Sequence, residues 1–388
     1  MKRYKYQLVK DTITQKDLFQ LSDWIKLNNR LTKGELNDSF EKKWASWNRS
    51  NHAVFLNSGS SANLAMFYAE KCIRKKDNIK VIAPAISWVT TISPAIQLGM
   101  EIHLCDSDKN TLGVSIDHLE KLFIKHTPDI LIIVHVLGHL NDMENILYLC
   151  DKYGVTLFED CCEAPGTEKN GIKVGNYGKA GSFSFYYGHH ISTIEGGMVV
   201  TNDKQFSEVL KSLRSHGWSR DQLPETKLRL SNEYNISDFK DLYTFYYPGF
   251  NLRSTDLNAF IGLKQMDRID SNVKRRFEIY SRYKNNLESY TWIQTCNADI
   301  ISNFALGLIV KDIDTVIRRL NNELIEIRPL ICGSIGEQPF WINHYGKQIF
   351  TNATKVHKNG LYLPAHHNLS NDDVDHISEV VISLLTTD

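Results

Sequence analysis

Between residues 50 and 201, short apolar runs alternate with segments whose apolar positions recur every three or four residues. "HAVFLN", "IKVIAP", "MEIHLCD", "DILIIVHV", "VTLFED", "GSFSFYY" and "GMVVTND" are short and rich in β-branched or aromatic residues, so each predicts a strand. "SSANLAMFYAEKCI" and "DMENILYLCDKYG" carry the helical period, and a further segment opens at Trp88. The strands are apolar along their length rather than alternating. That is the signature of strands covered on both faces, as in a mostly parallel sheet flanked by helices. Such sheets bind ligands beyond the carboxyl ends of their strands.

Past residue 202 the period is helical, in "KQFSEVLKSLRSHGW", "STDLNAFIGLKQMDRI" and "SNVKRRFEIYSRYKNNL". Residues 219–247, rich in Tyr, Asp and Asn, predict a long excursion or loop, and long loops in compact domains are often functional. From residue 300 a strand, "NFALGLIV", and two helices, "DIDTVIRRLNNEL" and "DDVDHISEVVISLLTT", predict a small α+β unit. The expected division is an N-terminal segment plus a large α/β domain over 1–250, then a smaller C-terminal α+β domain over 251–388.

Charge and cysteine content narrow the partners. Forty-five basic residues balance forty-five acidic ones, so no nucleic-acid or membrane partner held by bulk charge is expected. An anionic ligand would need local groups. "MKRYKYQLVKDTITQ" lacks the apolar core of a secretory signal, and "DILIIVHVLGHL" is too short to span a bilayer, so a cytoplasmic location is expected. Seven cysteines without paired Cys-x-x-Cys spacing predict reduced thiols, no zinc or iron–sulfur centre and no other metal.

Three stretches carry candidate chemistry. "LNSGSSANL" (56–64) puts small residues at a strand end that opens into a helix, which suits a phosphate or, equally, an ordinary serine cap. It lacks the Walker and dinucleotide-binding patterns. "FEDCCEAPG" (158–166) delivers Glu159 and Asp160 at a strand's carboxyl end, where a carboxylate can pair with a protonated ring nitrogen or cap the next turn. "GSFSFYYGHHISTIEGG" (181–197) places Ser182 and Ser184 on one strand face ahead of two histidines, residues that elsewhere are commonly surface or core. No lysine lies between Lys179 and Lys204.

In this order the three segments resemble the sugar-aminotransferase family of fold type I pyridoxal-phosphate enzymes, which act on nucleotide-linked keto-sugars. The resemblance extends over "LTKGELNDSFEKKWA", "SWVTTISPAIQLG", "RSHGW", "PGFNLRSTDLNAFIGLKQM" and "IEIRPLICGSIGEQPFW", nearly the whole chain. It implies an aspartate-aminotransferase-like fold and pyridoxal 5'-phosphate as cofactor. Gly59, Ser60 and Ser184 would hold its phosphate, Trp88 would stack on its ring, and Asp160 would pair with the ring nitrogen. Glu163 stands where the aminotransferases carry Gln or His near the ring hydroxyl. Asn251 would reach the phosphate in the neighbouring subunit, making a homodimer with shared active sites. His216 and Arg328 match positions that line the family's site. A C-cap residue and a surface arginine are the alternative readings of these two.

The family's lysine follows as Phe-Ser-Phe-Tyr-x-x-Lys, and the same count lands on His189, not His190. Imidazole cannot anchor the cofactor covalently but serves as a base near neutral pH. The implied cofactor is non-covalent, with pyridoxamine 5'-phosphate able to persist. This pattern resembles the dehydratases that make 3,6-dideoxy sugars. Within them, the absence of a cysteine cluster points to the GDP-linked, iron–sulfur-independent branch that uses glutamate as amino donor. The expected substrate is a nucleotide-linked 4-keto-6-deoxy sugar, losing its C3 hydroxyl. Dehydration of another nucleotide-linked keto-sugar or heptose is the alternative, and an inactive cofactor- or sugar-binding regulator is the alternative of another class.

Overall fold

The computed structural model describes residues 4–385. The central sheet contains β1 (His52–Leu56), β2 (Lys80–Pro84), β3 (Glu101–Cys105), β4 (Ile130–Val134) and β5 (Thr156–Asp160). A small hairpin, β6 (Glu168–Lys169) with β7 (Ile172–Lys173), precedes β8 (Ala180–Ser184) and β9 (Gly197–Thr201). The order is β1-β9-β8-β5-β4-β2-β3, and β9 runs antiparallel to both neighbours while the other pairs are parallel. Residues 185–196 return the chain beside the strand it has left, pairing Gly197 with Ser184, so β9 must be reversed. The six remaining strands deliver their carboxyl ends to one edge.

The crossovers are α3 (Gly59–Arg74), α4 (Val89–Gln97), α5 (Ile116–His126) and α6 (Met143–Tyr153), preceded by α1 (Gln15–Lys26) and α2 (Glu35–Asn48) and followed by α7 (Lys204–Arg214). Two apolar layers explain the continuous apolar strands. In β4, Ile130, Ile132 and Val134 pack with α3 residues such as Met66, whereas Leu131 and Ile133 pack with Phe123 and Ile146 of α5 and α6. Period two is present in space, but both faces are dry.

Within 219–247 the chain forms α8 (Pro224–Glu233) and α9 (Asp238–Asp241) rather than loop alone. Pro224 starts α8, but only Leu230 of that helix is buried, so it shows little helical apolar pattern. Then come α10 (Asp256–Met266), α11 (Ile269–Leu287), β10 (Leu306–Ile309), α12 (Ile313–Asn322), β11 (Arg328–Pro329), α13 (Pro339–Tyr345), α14 (Thr351–Asn359), β12 (Gly360–Leu363) and α15 (Asn371–Leu385). A second, antiparallel sheet has the order β10-β12-β11.

The start of α11 (Ile269, Val273) packs in the large core, and its later turns (Ile279, Tyr280, Tyr283) pack in a smaller one with β10, β12 and α15. The helix is a beam shared by both. Leu330, Ile335 and Trp341 join the large sheet's core, which brings a C-terminal segment to the strand ends. No helix among the described residues is long and apolar enough to cross a membrane.

Candidate active site

The sequence candidates sit mostly on the turns that leave the six converging strand ends. After β1, Ser58 caps α3 by accepting from the Ser61 N–H at 3.0 Å. Gly59 and Ser60 occupy the helix's first positions, where backbone N–H groups have no intrahelical acceptor. Gly59 has no room for a side chain, since a Cβ would lie 2.6 Å from that of Ser184. A Cβ on Gly197 would collide with the Ser58 carbonyl. The two glycines let the first turn of α3 press against the ends of β8 and β9. Ser60 Oγ donates to Thr90 Oγ1 at 3.1 Å, joining this turn to α4. Hydroxyls and free N–H groups at a positive helix end suit a phosphate.

Asp160, at the end of β5, is 4% exposed. Its Oδ2 accepts from Asn63 Nδ2 at 2.9 Å and Thr91 Oγ1 at 2.7 Å, and Oδ1 accepts from the Cys162 N–H at 3.1 Å. Ser182 Oγ donates to Asn63 Oδ1 at 2.6 Å, fixing the amide so that its N–H₂ faces the carboxylate. Asn63 and Thr91 lie one turn into α3 and α4, so both helices hold the same acid. Neighbouring Glu159 points to the opposite face. There it accepts from the N–H groups of Gly175, Tyr177 and Gly178 and meets His135 Nε2 at 3.0 Å, a structural role. Asp160 has only neutral partners among the described residues. A buried carboxylate in that state is completed by a cationic group such as a protonated ring nitrogen.

Trp88 precedes α4 and is 57% exposed, leaving a flat aromatic face at the sheet edge. The C-terminal segment is laced beside it: Ile335 N–H donates to Ala85 O at 2.8 Å, and Cys332 Sγ donates to Ser87 O at 2.9 Å. Glu163 accepts from the Leu137 N–H at 2.8 Å. Burial pushes its carboxyl up to about 8; the Leu137 bond opposes this and the Asp160 charge reinforces it. At neutral pH Glu163 is therefore mostly a proton donor.

His189 and His190 separate cleanly. His190 is fully buried, with Nε2 on the Ser302 carbonyl at 3.0 Å and burial holding it well below the ordinary imidazole range. His189 is half-buried, and its Nδ1 is enclosed without a partner. Burial pushes its imidazole down to about 4, against the pull of the Cys162 backbone and the Asp160 charge. It is thus neutral near pH 7 and free to accept a proton. The phosphate cradle, the acid awaiting a cation, the exposed indole and the unpartnered imidazole fit pyridoxal phosphate.

These shifts give opposite pH slopes. His189, like His139, His366 and His367, falls to about 4 through burial, so its stabilisation is present above 6.5 and lost as pH falls toward 4. Glu163 contributes stability below 4.5 that is lost as pH rises toward 8. Urea midpoints should drop steeply below pH 6.5, where the four histidines outweigh Glu163, and Glu163→Gln should flatten the decline as pH rises from about 6.5 to 8. An unchanged slope in that variant would remove Glu163 from the account.

Other candidates lie further out. Asn251 is exposed, on a bridge to Ser215, and His216 donates its N–H to Phe250 O from a left-handed conformation (φ 63°). This ladder reaches β1 through Asn57 N–H to Leu252 O at 3.0 Å, one residue from the Ser58 cap. Arg328 is exposed on β11 and paired with Glu326 at 2.7 Å. Its Cα partner on β12 is Tyr362, whose phenol is pushed up to about 12 by burial and then by the Glu163 charge. Sequence reasoning did not single out Asn63, Thr91 or Leu137. The first two follow Gly59 and Trp88 by about one helical turn, which was their only signal.

Fold and cleft together define a pyridoxal-phosphate enzyme of the aminotransferase-like type. The model of the DegT/DnrJ/EryC1/StrS aminotransferase family matches residues 12–382, and the chain belongs to that family. It is 31% identical over 374 residues, 93% of this chain and 94% of the other, to GDP-4-keto-6-deoxy-D-mannose 3-dehydratase of Yersinia pseudotuberculosis. The Escherichia coli enzyme of that name, solved with bound hydrated pyridoxal phosphate, superposes with TM-score 0.90 at 28% identity, covering 97% of this chain and 99% of that one. A GDP-4-keto-6-deoxymannose-3-dehydratase structure with a trapped pyridoxal-phosphate–glutamate geminal diamine has TM-score 0.89 at 27% identity, covering 97% and 100%.

Proposed function

We propose that the protein is a 3-dehydratase of a nucleotide-linked 4-keto-6-deoxy sugar, GDP-4-keto-6-deoxy-D-mannose foremost, in deoxysugar (colitose-type) synthesis for lipopolysaccharide O-antigen. The observation that carries the reading is His189: an imidazole with a free nitrogen stands beside Asp160 where an aminotransferase needs lysine. The relatives named above for this reaction support the sugar, and the structure with trapped glutamate supports that amino acid as donor.

Pyridoxamine phosphate, when bound, supplies an amine for the C4 ketone and an electron-withdrawing ring. Gly59, Ser60 and Ser184 bind its phosphate, and Trp88 covers its ring against water. Asp160, held by Asn63 and Thr91, keeps the proton on the ring nitrogen. His189 takes and returns protons, and it forms no covalent link. Overall, the sugar loses its C3 oxygen, glutamate becomes 2-oxoglutarate by gaining one, and ammonia leaves.

The proposal needs no iron–sulfur cluster. The seven cysteines show no paired Cys-x-x-Cys spacing of the kind that supplies cluster ligands. A homodimer with shared sites is part of the reading. Asn251 is exposed, and Tyr186, Tyr187 and Ile194 beside His189 are about half exposed. Incubation with GDP-4-keto-6-deoxymannose, glutamate and cofactor should give a product 16 mass units lighter, together with 2-oxoglutarate. A 4-amino sugar as main product would establish transamination instead.

A further inference from the structure

We propose that Arg276 is a positioning residue for the site, anchoring the 302–304 segment that seats His189 and, through Leu137, Glu163. The inference rests on the reading of His189 as the base. Arg276 lies on α11 between Val273, in the large core, and Ile279, in the small one. It is 3% exposed, and its Nη1 donates to the carbonyls of Asn303 at 3.0 Å, Phe304 at 3.1 Å and Ala365 at 3.3 Å. Its Nε is enclosed without a partner, and no carboxylate bonds to it among the described residues. A buried arginine would ordinarily be paired, so a guanidinium spent on three carbonyls is unusual.

Those carbonyls belong to the two chain segments that flank β10 and β12, and the first of them packs against His189 and reaches Glu163 through Leu137. The Phe304 ring lies 5.4 Å from that of His189 and 6.4 Å from that of His190. Ser302 O meets His190 Nε2. Phe304 N–H donates to Leu137 O at 2.9 Å, and Leu137 N–H donates to Glu163. Leu137 is left-handed (φ 53°), a costly conformation held from both sides by these two bonds. One guanidinium thus ties the base and the protonated acid to the helix shared by both cores. Arginine suits the task because its planar fork is always charged and offers five donors.

The same cation acts through its field. Burial is the main cause of the lowered imidazoles at His189, His190, His366 and His367, and Arg276 adds to it at each. The other groups facing this cluster are Asp160 toward His189, Lys10 toward His366 and Arg268 toward His367. Of these charges only Asp160 favours the protonated form, and the backbone bonds of Cys162 to His189, Ser302 to His190 and Gln7 to His366 act in the same direction.

The test uses full-length protein carrying ¹⁵N-histidine, titrated without sugar or glutamate, with His189 assigned by comparison with His189→Asn. In Arg276→Met the His189 midpoint should rise, since a cation that disfavours the imidazolium is removed. A folded Arg276→Met protein whose His189 curve superimposes on the wild type would overturn the proposal. Should that variant not fold, Arg276→Lys decides: it keeps the charge but not the fork, and the His189 and His190 ring resonances should shift. Unchanged resonances would overturn the proposal as well. Because the readout needs no turnover, it stands apart from the dehydratase assignment. If turnover is observed, Arg276→Lys should lower kcat with little change in KM for the sugar.

Discussion

His189→Asn is expected to keep the cofactor and to lose dehydration by about a thousandfold, the scale of a positioned general base. The asparagine amide cannot take up a proton near neutral pH, yet it leaves Gly59, Ser60, Ser184, Trp88 and Asp160 untouched. The native Nδ1 is enclosed without a partner, so the substitution gives up only the ring's bond to the Cys162 backbone, and stability should change by about 1 kcal/mol. Cofactor titration, product mass spectrometry and a thermal melt on the same sample separate these effects. Turnover within tenfold of wild type would take His189 out of its role. His189→Lys is the informative companion: borohydride should then fix the cofactor to the chain, which it should not do in the wild type. A borohydride-stable link in the wild-type protein would contradict the non-covalent reading directly.

The sheet was legible because its cause is local. Ile130 to Val134 is apolar at every position, and that pattern needs two covered faces whatever lies elsewhere in the chain. Helix α8 was not legible for the converse reason: Leu228 remains exposed, so no buried stripe imprints a period on its sequence. The site divides in the same way. Gly59 and Asp160 announce themselves because a strand end must deliver them to the ligand-binding edge. Asn63, Thr91 and Arg276 act through bonds spanning 97, 69 and 27 residues, respectively, and no sequence spacing encodes such pairings. The carboxylate pair Glu159–Asp160 shows where the boundary falls. The strand period puts them on opposite faces, but only the three N–H groups of 175–178 show which face is structural.

That pair supplies the second large effect. Asp160→Asn should weaken cofactor binding by about a hundredfold to several thousandfold, and activity by at least as much. The range follows from the roughly 3–5 kcal/mol cost of leaving one member of a buried charge pair alone. Asparagine is nearly isosteric, but its hydrogen bonds cannot all be made. Oδ1 can accept from Asn63 and Thr91, which then turns the amide N–H₂ toward the Cys162 N–H and the ring nitrogen, donor against donor. The flipped amide satisfies Cys162 and confronts Asn63 with a second donor. Glu159→Gln is the control. It has the same chemistry one residue earlier, but on the face that holds Gly175, Tyr177 and Gly178. It should lower the melting temperature and leave cofactor affinity within about threefold, since it touches no group in the cleft. Quenching of Trp88 fluorescence on cofactor titration measures the first effect, and a thermal melt of the cofactor-free protein measures the second. If Asp160→Asn binds cofactor as tightly as Glu159→Gln does, the ring nitrogen is not what Asp160 holds.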